Sequence, residues 1–240
     1  MRNTDKDWLR LGEEEPYWGV LTHPEFRTGD ISPDAMEALY SDGAELIDGV
    51  TARLRKLFTD FEPEKALDFG CGVGRLTFAM GQHAGEVCGV DISAGMLRKA
   101  EERKELSKIT NVRFSEEIPR EKFQWINSYI VFQHIPPPRG YPLLTNLLST
   151  LSDGGFVSLH FIFARDSKHK RARRLDLQNG FFNLRVDFEK IARRPVGTVM
   201  MYDYDMNAIL KCLFDHGLSE LELLHTDHDG HHGCWIIGRK

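Results

Sequence analysis

The sequence predicts an α/β fold, a largely parallel sheet with helices on both faces. From Lys65 onward, short apolar runs alternate with amphipathic stretches, the pattern of repeated β-α units. A glycine cluster, Gly70-Cys71-Gly72-Val73-Gly74, follows the first of these runs, where a strand must turn sharply into a helix. Two late runs, 219–225 and 234–238, are separated only by Thr226 to Gly233, so they must pair as an antiparallel hairpin.

Composition supports a folded domain with a full core. The chain has 240 residues, 41% of them hydrophobic, with 36 acidic and 31 basic side chains for a net charge of −5. This is neither a disordered nor a fibrous chain. Its mild acidity argues against bulk attraction to nucleic-acid backbone, though a local basic patch could still act. Cys71, Cys88, Cys212 and Cys234 contain no CxxC pair, so neither a zinc knuckle nor a disulfide framework is indicated. The charged start, MRNTDKDWLRLGEEEPYW, lacks a signal peptide's apolar stretch. The best apolar run, Phe156 to Ala164, is interrupted by Ser158 and His160 and is too short to span a bilayer. The expectation is a soluble, cytoplasmic protein.

Residues 1–31 carry Trp8, Tyr17, Trp18 and Phe26 without clear periodicity. Ser32-Pro33-Asp34 then reads as a helix start: a cap, a first-turn proline and an acid suited to the dipole. The stripe Leu46, Val50, Leu54, Leu57 and Phe58 continues it, with a break expected at Gly43 or Gly49. Ala66 to Phe69 is the first strand, Arg75 to His83 a helix and Val87 to Val90 the second strand. Ser93 caps the next helix, and Val112 to Phe114 is the third strand. Trp125 to Phe132 reads as a fourth strand, apolar throughout as when both faces are covered. A leucine stripe from Leu143 to Leu151 is stopped at Gly154-Gly155, and Phe156 to Phe163 is the fifth strand. After a mixed segment at 164–200 comes a helix at about Tyr204 to His216, then the hairpin.

The glycine loop carries most of the chemistry. Glycines at its first, third and fifth places let backbone approach a ligand closely. Asp91 ends the very next strand, where a carboxylate can accept both hydroxyls of a ribose. A dinucleotide site normally reads GxGxxG, whereas here Gly74 follows after one residue and Asp68 precedes the first glycine. An acid there repels a pyrophosphate, but it suits the ammonium of S-adenosylmethionine, directly or through water. That favours the sulfonium cofactor over NAD.

On LDFGCGVGRLT, GVDIS at 89–93, INSYIVFQHI at 126–135 and LSDGGFVSL at 151–159, the chain resembles the class I S-adenosylmethionine-dependent methyltransferases of the small-molecule branch. The resemblance implies a Rossmann-like, seven-stranded mixed sheet ordered 3-2-1-4-5-7-6, with strand 7 antiparallel. It implies that Asp68, Gly70, Cys71 and Gly72 surround the methionine end of the cofactor. Asp91 would bind the ribose, Ile92 would lie against adenine and Phe132 would back the cofactor. For the adenine amine the candidates are Glu116 and Glu117. Phe123-Gln124 and Asp153-Gly154-Gly155 stand where many relatives have Phe-Asp and Pro-Gly-Gly.

Further features have a functional and a plain reading. His134, near the switch point of the sheet, could take a proton from a nucleophile or serve only in packing. Cys71 is a small packing residue rather than a nucleophile. The Gln133-to-Pro138 segment lacks the Asn or Asp before, and the aromatic after, the Pro-Pro of the signature Asn/Asp-Pro-Pro-aromatic usual in DNA amine methyltransferases, which disfavours DNA amine methylation. The basic run Arg165 to Arg174 could attract an acidic acceptor or RNA, or be a solvated face. Residues 1–60 are expected as an aromatic strap and helices over the cofactor side. The methyltransferase domain would fill 61–240, with an inserted lid at about 164–200. His225 to His232, with four histidines and two aspartates, suggests metal. Alternation along a hairpin prevents all six from converging, so no metal is expected and one or two histidines could line the acceptor site.

The expected function is methyl transfer to an unidentified small molecule, on oxygen or nitrogen. The rivals are an RNA or protein methyltransferase and a non-catalytic cofactor-binding protein; a dehydrogenase is disfavoured by Asp68. Calorimetry should show S-adenosylmethionine or S-adenosylhomocysteine binding at least about tenfold tighter than NAD, with Asp91→Ala costing on the order of 1–3 kcal/mol. Tight NAD binding indifferent to Asp68→Ala would sink the assignment.

Overall fold

The computed structural model describes residues 4–27, 31–166, 176–178, 181–183 and 199–240. Strand β1 (Lys65–Phe69) leads through the glycine loop into α4 (Arg75–Met80), and β2 (Glu86–Val90) lies parallel beside it. Helix α5 (Ala94–Ser107) crosses to β3 (Val112–Ser115), and β4 (Phe123–Ser128) pairs with β1 on its other side. A 3₁₀ turn (Phe132–His134) and α6 (Pro137–Ser149) lead to the long β5 (Leu151–Arg165). A two-stranded ribbon, β6 (Asp176–Gln178) with β7 (Phe181–Asn183), stands apart from this sheet. Helix α7 (Met206–Asp215) then precedes β8 (Glu220–Asp227) and β9 (His231–Arg239).

The main sheet runs β3-β2-β1-β4-β5-β9-β8, with β9 antiparallel to both neighbours. With the ribbon set aside, this is the expected order 3-2-1-4-5-7-6. One face packs Leu144, Leu147 and Leu148 of α6 and Ile209 and Leu213 of α7. The other packs Ile47, Val50 and Leu54 of α3 (Pro33–Leu57) with Leu76 and Met80 of α4. Central strands are therefore apolar on both sides, as parallel sheets require.

Four of the differences from the sequence reading shape the strand ends and the helix beside them. Helix α3 is unbroken. At Gly43 a Cβ would lie 2.7 Å from Cγ of Arg75, so the missing side chain lets α4 approach and does not interrupt the helix. Strand β4 stops at Ser128 because the chain leaves the extended region at Ile130, whose φ is +58°. Strand β5 begins at Leu151, before the glycines expected to precede it. The hairpin turn is only His228 to Gly230, so His225, His231 and His232 belong to strands. Its left-handed Asp229 and Gly230 suit a tight turn.

Residues 4–27 also hold more order than their pattern suggested. Ser32 Oγ caps α3 by accepting the Ala35 N–H at 3.1 Å. Before it, α1 (Thr4–Glu14) and α2 (Pro16–Val20) pack on α5, and Phe26 is buried in the α3-side core. Among the described residues, no helix is long and apolar enough to cross a membrane.

A buried hydrogen-bond chain crosses the sheet interior. Trp125 Nε1–H donates to Ser158 Oγ (2.9 Å), Ser158 donates to Asn127 Oδ1 (2.7 Å), and Asn127 Nδ2–H donates to Asp68 Oδ1 (2.9 Å). Thr77 Oγ–H completes it on Asp68 Oδ2 at 2.8 Å. All five residues are at most 1% exposed. Ser158→Ala leaves the Trp125 donor and the Asn127 acceptor unpaired, so urea unfolding should show a loss of about 1–3 kcal/mol. An unchanged midpoint would mean that the chain contributes nothing to stability.

Candidate active site at the carboxyl ends of the strands

The loop after β1 is closed onto β2 by its own backbone. Gly70 and Cys71 donate N–H to the Val90 carbonyl at 2.7 and 3.0 Å, and Gly72 donates to Asp91 Oδ2 at 2.9 Å. Gly70 has φ +77°, and any Cβ there would collide with the Val131 side chain, so this position admits only glycine. The other Asp91 oxygen accepts the Ser93 N–H at 2.9 Å. Each carboxylate oxygen thus keeps lone-pair capacity for a further donor. Burial raises the Asp91 pKa, against the two backbone hydrogen bonds that lower it.

These groups open onto one cavity of about 1240 Å³. It exceeds the roughly 300–1,000 Å³ of a typical single-ligand pocket, leaving room for two molecules. Asp68, Gly70, Cys71, Gly72, Asp91 and Ile92 all line it, as do Glu116 and Glu117. Phe132 does not. It turns into the core between Phe69 and Phe161, at ring distances of 5.6 and 4.9 Å, because the chain has already bent at Ile130. Val131 takes the wall position expected for it.

Asp68 is fully buried, and burial pushes its pKa up to about 6. Hydrogen bonds from Asn127 and Thr77 and the charge of Arg75 act in the opposite direction. Cys71 is buried with its pKa raised, first by desolvation, which makes it inert as a nucleophile. His134 lines the cavity with Nδ1 2.8 Å from the Met200 carbonyl and its ring 5.0 Å from Trp8. Nδ1 therefore carries the proton, and Nε2 keeps its lone pair. Burial lowers the His134 pKa to about 4 despite the carbonyl bond, so the ring is neutral at pH 7 but a weak base.

Several wall residues had no prior assignment. Trp8 comes from α1, Arg75 from the start of α4, Met96 from α5, and Tyr129 from the end of β4. The buried Arg75 is ion-paired with Asp42 of α3. Tyr129 was legible in principle, because a residue just past a central parallel strand lies where ligands bind. From the hairpin, His228, Asp229 and His231 reach the cavity. His225 and His232 instead stack on each other at 5.6 Å, and His232 Nε2 meets Asp166 at 3.1 Å. Among the described residues, no three His, Cys, Asp or Glu side chains are grouped to hold a metal. Of the basic run, Arg165 pairs with Asp203 at 2.7 Å; residues 167–174, and most of the expected lid, lie outside the described residues.

Comparison with known proteins agrees with this geometry. Residues 67–157 match the family model described as a methyltransferase domain. Magnesium protoporphyrin IX methyltransferase (ChlM) from Synechocystis, solved with bound SAH, is similar at a TM-score of 0.66 and 18% identity, covering 99% of this chain and 100% of that one. The N-methyltransferase NodS from Bradyrhizobium japonicum, also with SAH, gives a TM-score of 0.60 at 14% identity, covering 100% and 99%. The N-terminal domain of EvdMO1 gives 0.59 at 20%, covering 100% and 98%. The chain thus has the fold of these structures, and residues 67–157 carry the match to a methyltransferase domain.

The site makes a prediction about His134. Its folded pKa lies below the ordinary 6.5, so protons bind the unfolded chain first and this group costs stability as pH falls from 6.5 towards 4. In ¹⁵N-edited spectra its ring should stay neutral from pH 8 to about 5. A titration midpoint near 6.5 would refute the burial argument.

Proposed function

We propose that this protein transfers the methyl group of S-adenosylmethionine to oxygen or nitrogen of a small-molecule acceptor. The observation that carries the reading is the convergence of Asp68, the Gly70–Gly72 backbone and Asp91 on one cavity. Asp91 is held beside the loop with accepting capacity to spare, which suits the hydroxyls of a ribose. Asp91 would hold the ribose hydroxyls, Ile92 would cover adenine, and Glu116 or Glu117 would accept the adenine amine. Asp68 would face the methionine ammonium, directly or through water.

When bound, the cofactor supplies a methyl group already activated on a sulfonium. The chain's own work is then alignment and exclusion of water. Trp8 and the stretch Gly19 to Thr22 form part of the cavity wall, which supports reading residues 1–60 as the cover and 61–240 as the catalytic domain. His134 serves in packing and orientation, since a base with a pKa near 4 removes protons poorly at neutral pH. The described wall carries seven carboxylates against three guanidiniums, Arg75, Arg120 and Arg139, and Arg75 and Arg139 are paired with Asp42 and Asp5. The described walls therefore favour a neutral acceptor over a strongly acidic one. A charged, soluble chain of this kind fits the cytoplasm.

Calorimetry with S-adenosylmethionine, and an acceptor screen reading S-adenosylhomocysteine release, test the function directly. The Asp68 pKa near 6 adds a pH signature. Above it the carboxylate is charged and attracts the ammonium; below it the attraction is lost. Cofactor affinity should fall as pH drops through about 6, and Asp68→Asn should flatten that profile while weakening binding at pH 7.5. A wild-type affinity independent of pH between 5 and 7.5 would remove Asp68 from the site.

A further inference from the structure

The hairpin end of the main cavity holds two histidines whose rings meet. His228, at the turn between β8 and β9, lines the cavity. Its ring lies 5.4 Å from that of His160 on β5, at 74°, and 6.2 Å from that of Tyr129. Tyr129 lines the cavity too and stands 5.2 Å from His160. His160 is only 1% exposed, in a strand where Leu159, Phe161 and Ile162 are fully buried. An imidazole in that place gives up its hydration and must find partners within the protein.

It finds one and lacks the other. His160 Nε2 is 2.8 Å from Thr226 Oγ1 of β8. Gly233 of β9 admits that bond, because a Cβ there would lie 2.5 Å from Thr226 Oγ1 and 2.7 Å from His160 Nε2. His160 Nδ1 is buried without a partner. Of the two His228 nitrogens it is Nε2 that is buried, and it too has no partner. Two unpaired nitrogens buried in adjoining rings cost stability. Burial lowers the His160 pKa to about 3 and lowers that of His228 as well, against the charge of Asp227. Both rings are therefore neutral at pH 7, each with one N–H and one bare nitrogen. His228 acquires a second N–H only when it takes up a proton.

We propose that His228 is the base of the methyl transfer and that His160 is its positioning partner. The inference rests on the methyltransferase reading. In the step, oxygen or nitrogen of the small molecule bonds the methyl carbon, and the carbon–sulfur bond breaks with its electron pair on sulfur. The proton displaced from that oxygen or nitrogen goes to His228 Nδ1. The imidazolium then donates its Nε2–H to His160 Nδ1, which is the bare nitrogen when His160 Nε2–H donates to Thr226 Oγ1. The two atoms unpaired in the resting protein become partners when the proton arrives, and it leaves afterwards to solvent. His160 thus stabilises the charged form of His228, as an orienting group behind a catalytic histidine does.

The first test follows the His228 ring in ¹⁵N-edited spectra of the full chain saturated with S-adenosylhomocysteine. His160→Phe removes the partner and should lower the His228 titration midpoint by about one pH unit. His160→Asn, whose amide oxygen can still accept, should restore most of that. Asp227, His231 and Tyr129, the other titratable groups around His228, are unchanged in both variants. The second test reads S-adenosylhomocysteine release over a panel of phenols, primary alcohols and primary amines. On any member that turns over, His228→Asn should lower kcat about 10²–10⁴-fold with S-adenosylhomocysteine affinity unchanged. His160→Phe should lower kcat about tenfold, and His160→Asn should recover it. His228 stands on the hairpin turn, so its variant remains informative even if one at buried His160 does not fold. A His228 midpoint indifferent to His160→Phe, or kcat within about threefold of wild type in His228→Asn, overturns the proposal. No turnover on any member overturns the methyltransferase reading instead.

Discussion

One set of hydrogen bonds fixes the carboxylate at the middle of the sheet's candidate site: the buried chain that ends on Asp68. Trp125 can only donate and an ionised carboxylate can only accept, so the direction of every intermediate bond is determined. Ser158 must donate to Asn127, and Asn127 must present its amide hydrogens to Asp68. Thr77 approaches from α4 on the other side. The carboxylate is thus held by β4 and α4 before any ligand arrives. Such preorganisation is costly, because desolvation raises the Asp68 pKa to about 6, and the donors recover only part of that cost.

The geometry of the strand ends follows from the same constraint. With Asp68 tied to β4 and Thr77, the loop after β1 must leave the sheet within a few residues and return as α4. Gly70 makes the exit, and the Val90 carbonyl and Asp91 carboxylate catch the loop's N–H groups. Val131 fills the space that a Gly70 side chain would need. That contact requires β4 to turn inward at its end, which Ile130 accomplishes in a left-handed conformation costly for a β-branched residue. Loop, carboxylates and strained turn are therefore one assembly.

Much of this was readable in the chain, for a physical reason: strands and the turn between them are local. Asp68, the three glycines and Asp91 lie within 24 residues and announce themselves by spacing. The β-α alternation and the hairpin followed from apolar periodicity and short connections, and the seven-strand order from the family resemblance. What escaped was non-local. Asn127 and Ser158 are polar residues inside doubly buried strands, a visible anomaly, but only the pairing Asn127↔Ser158 and Asp68↔Asn127 shows that they meet. Phe132 was misplaced because an apolar run continues through the bend at Ile130, and hydrophobicity does not record φ. Helices α1 and α2 escaped because their packing partner, α5, is remote in sequence.

The same division separates the two halves of the cavity. The half in which we propose the cofactor to lie is built from consecutive elements, β1, α4 and β2, and is locked by backbone bonds that tolerate little change. The other half is assembled from distant pieces: Trp8 of α1, Leu46 of α3, Tyr129 beyond β4 and His228 at the hairpin turn. None of these side chains takes part in the hydrogen-bond chain to Asp68. Substitutions there can reshape the acceptor's surroundings without disturbing the carboxylates or the loop. On the proposed function, acceptor choice is thereby separated from cofactor binding, which lets one rigid frame serve different acceptors.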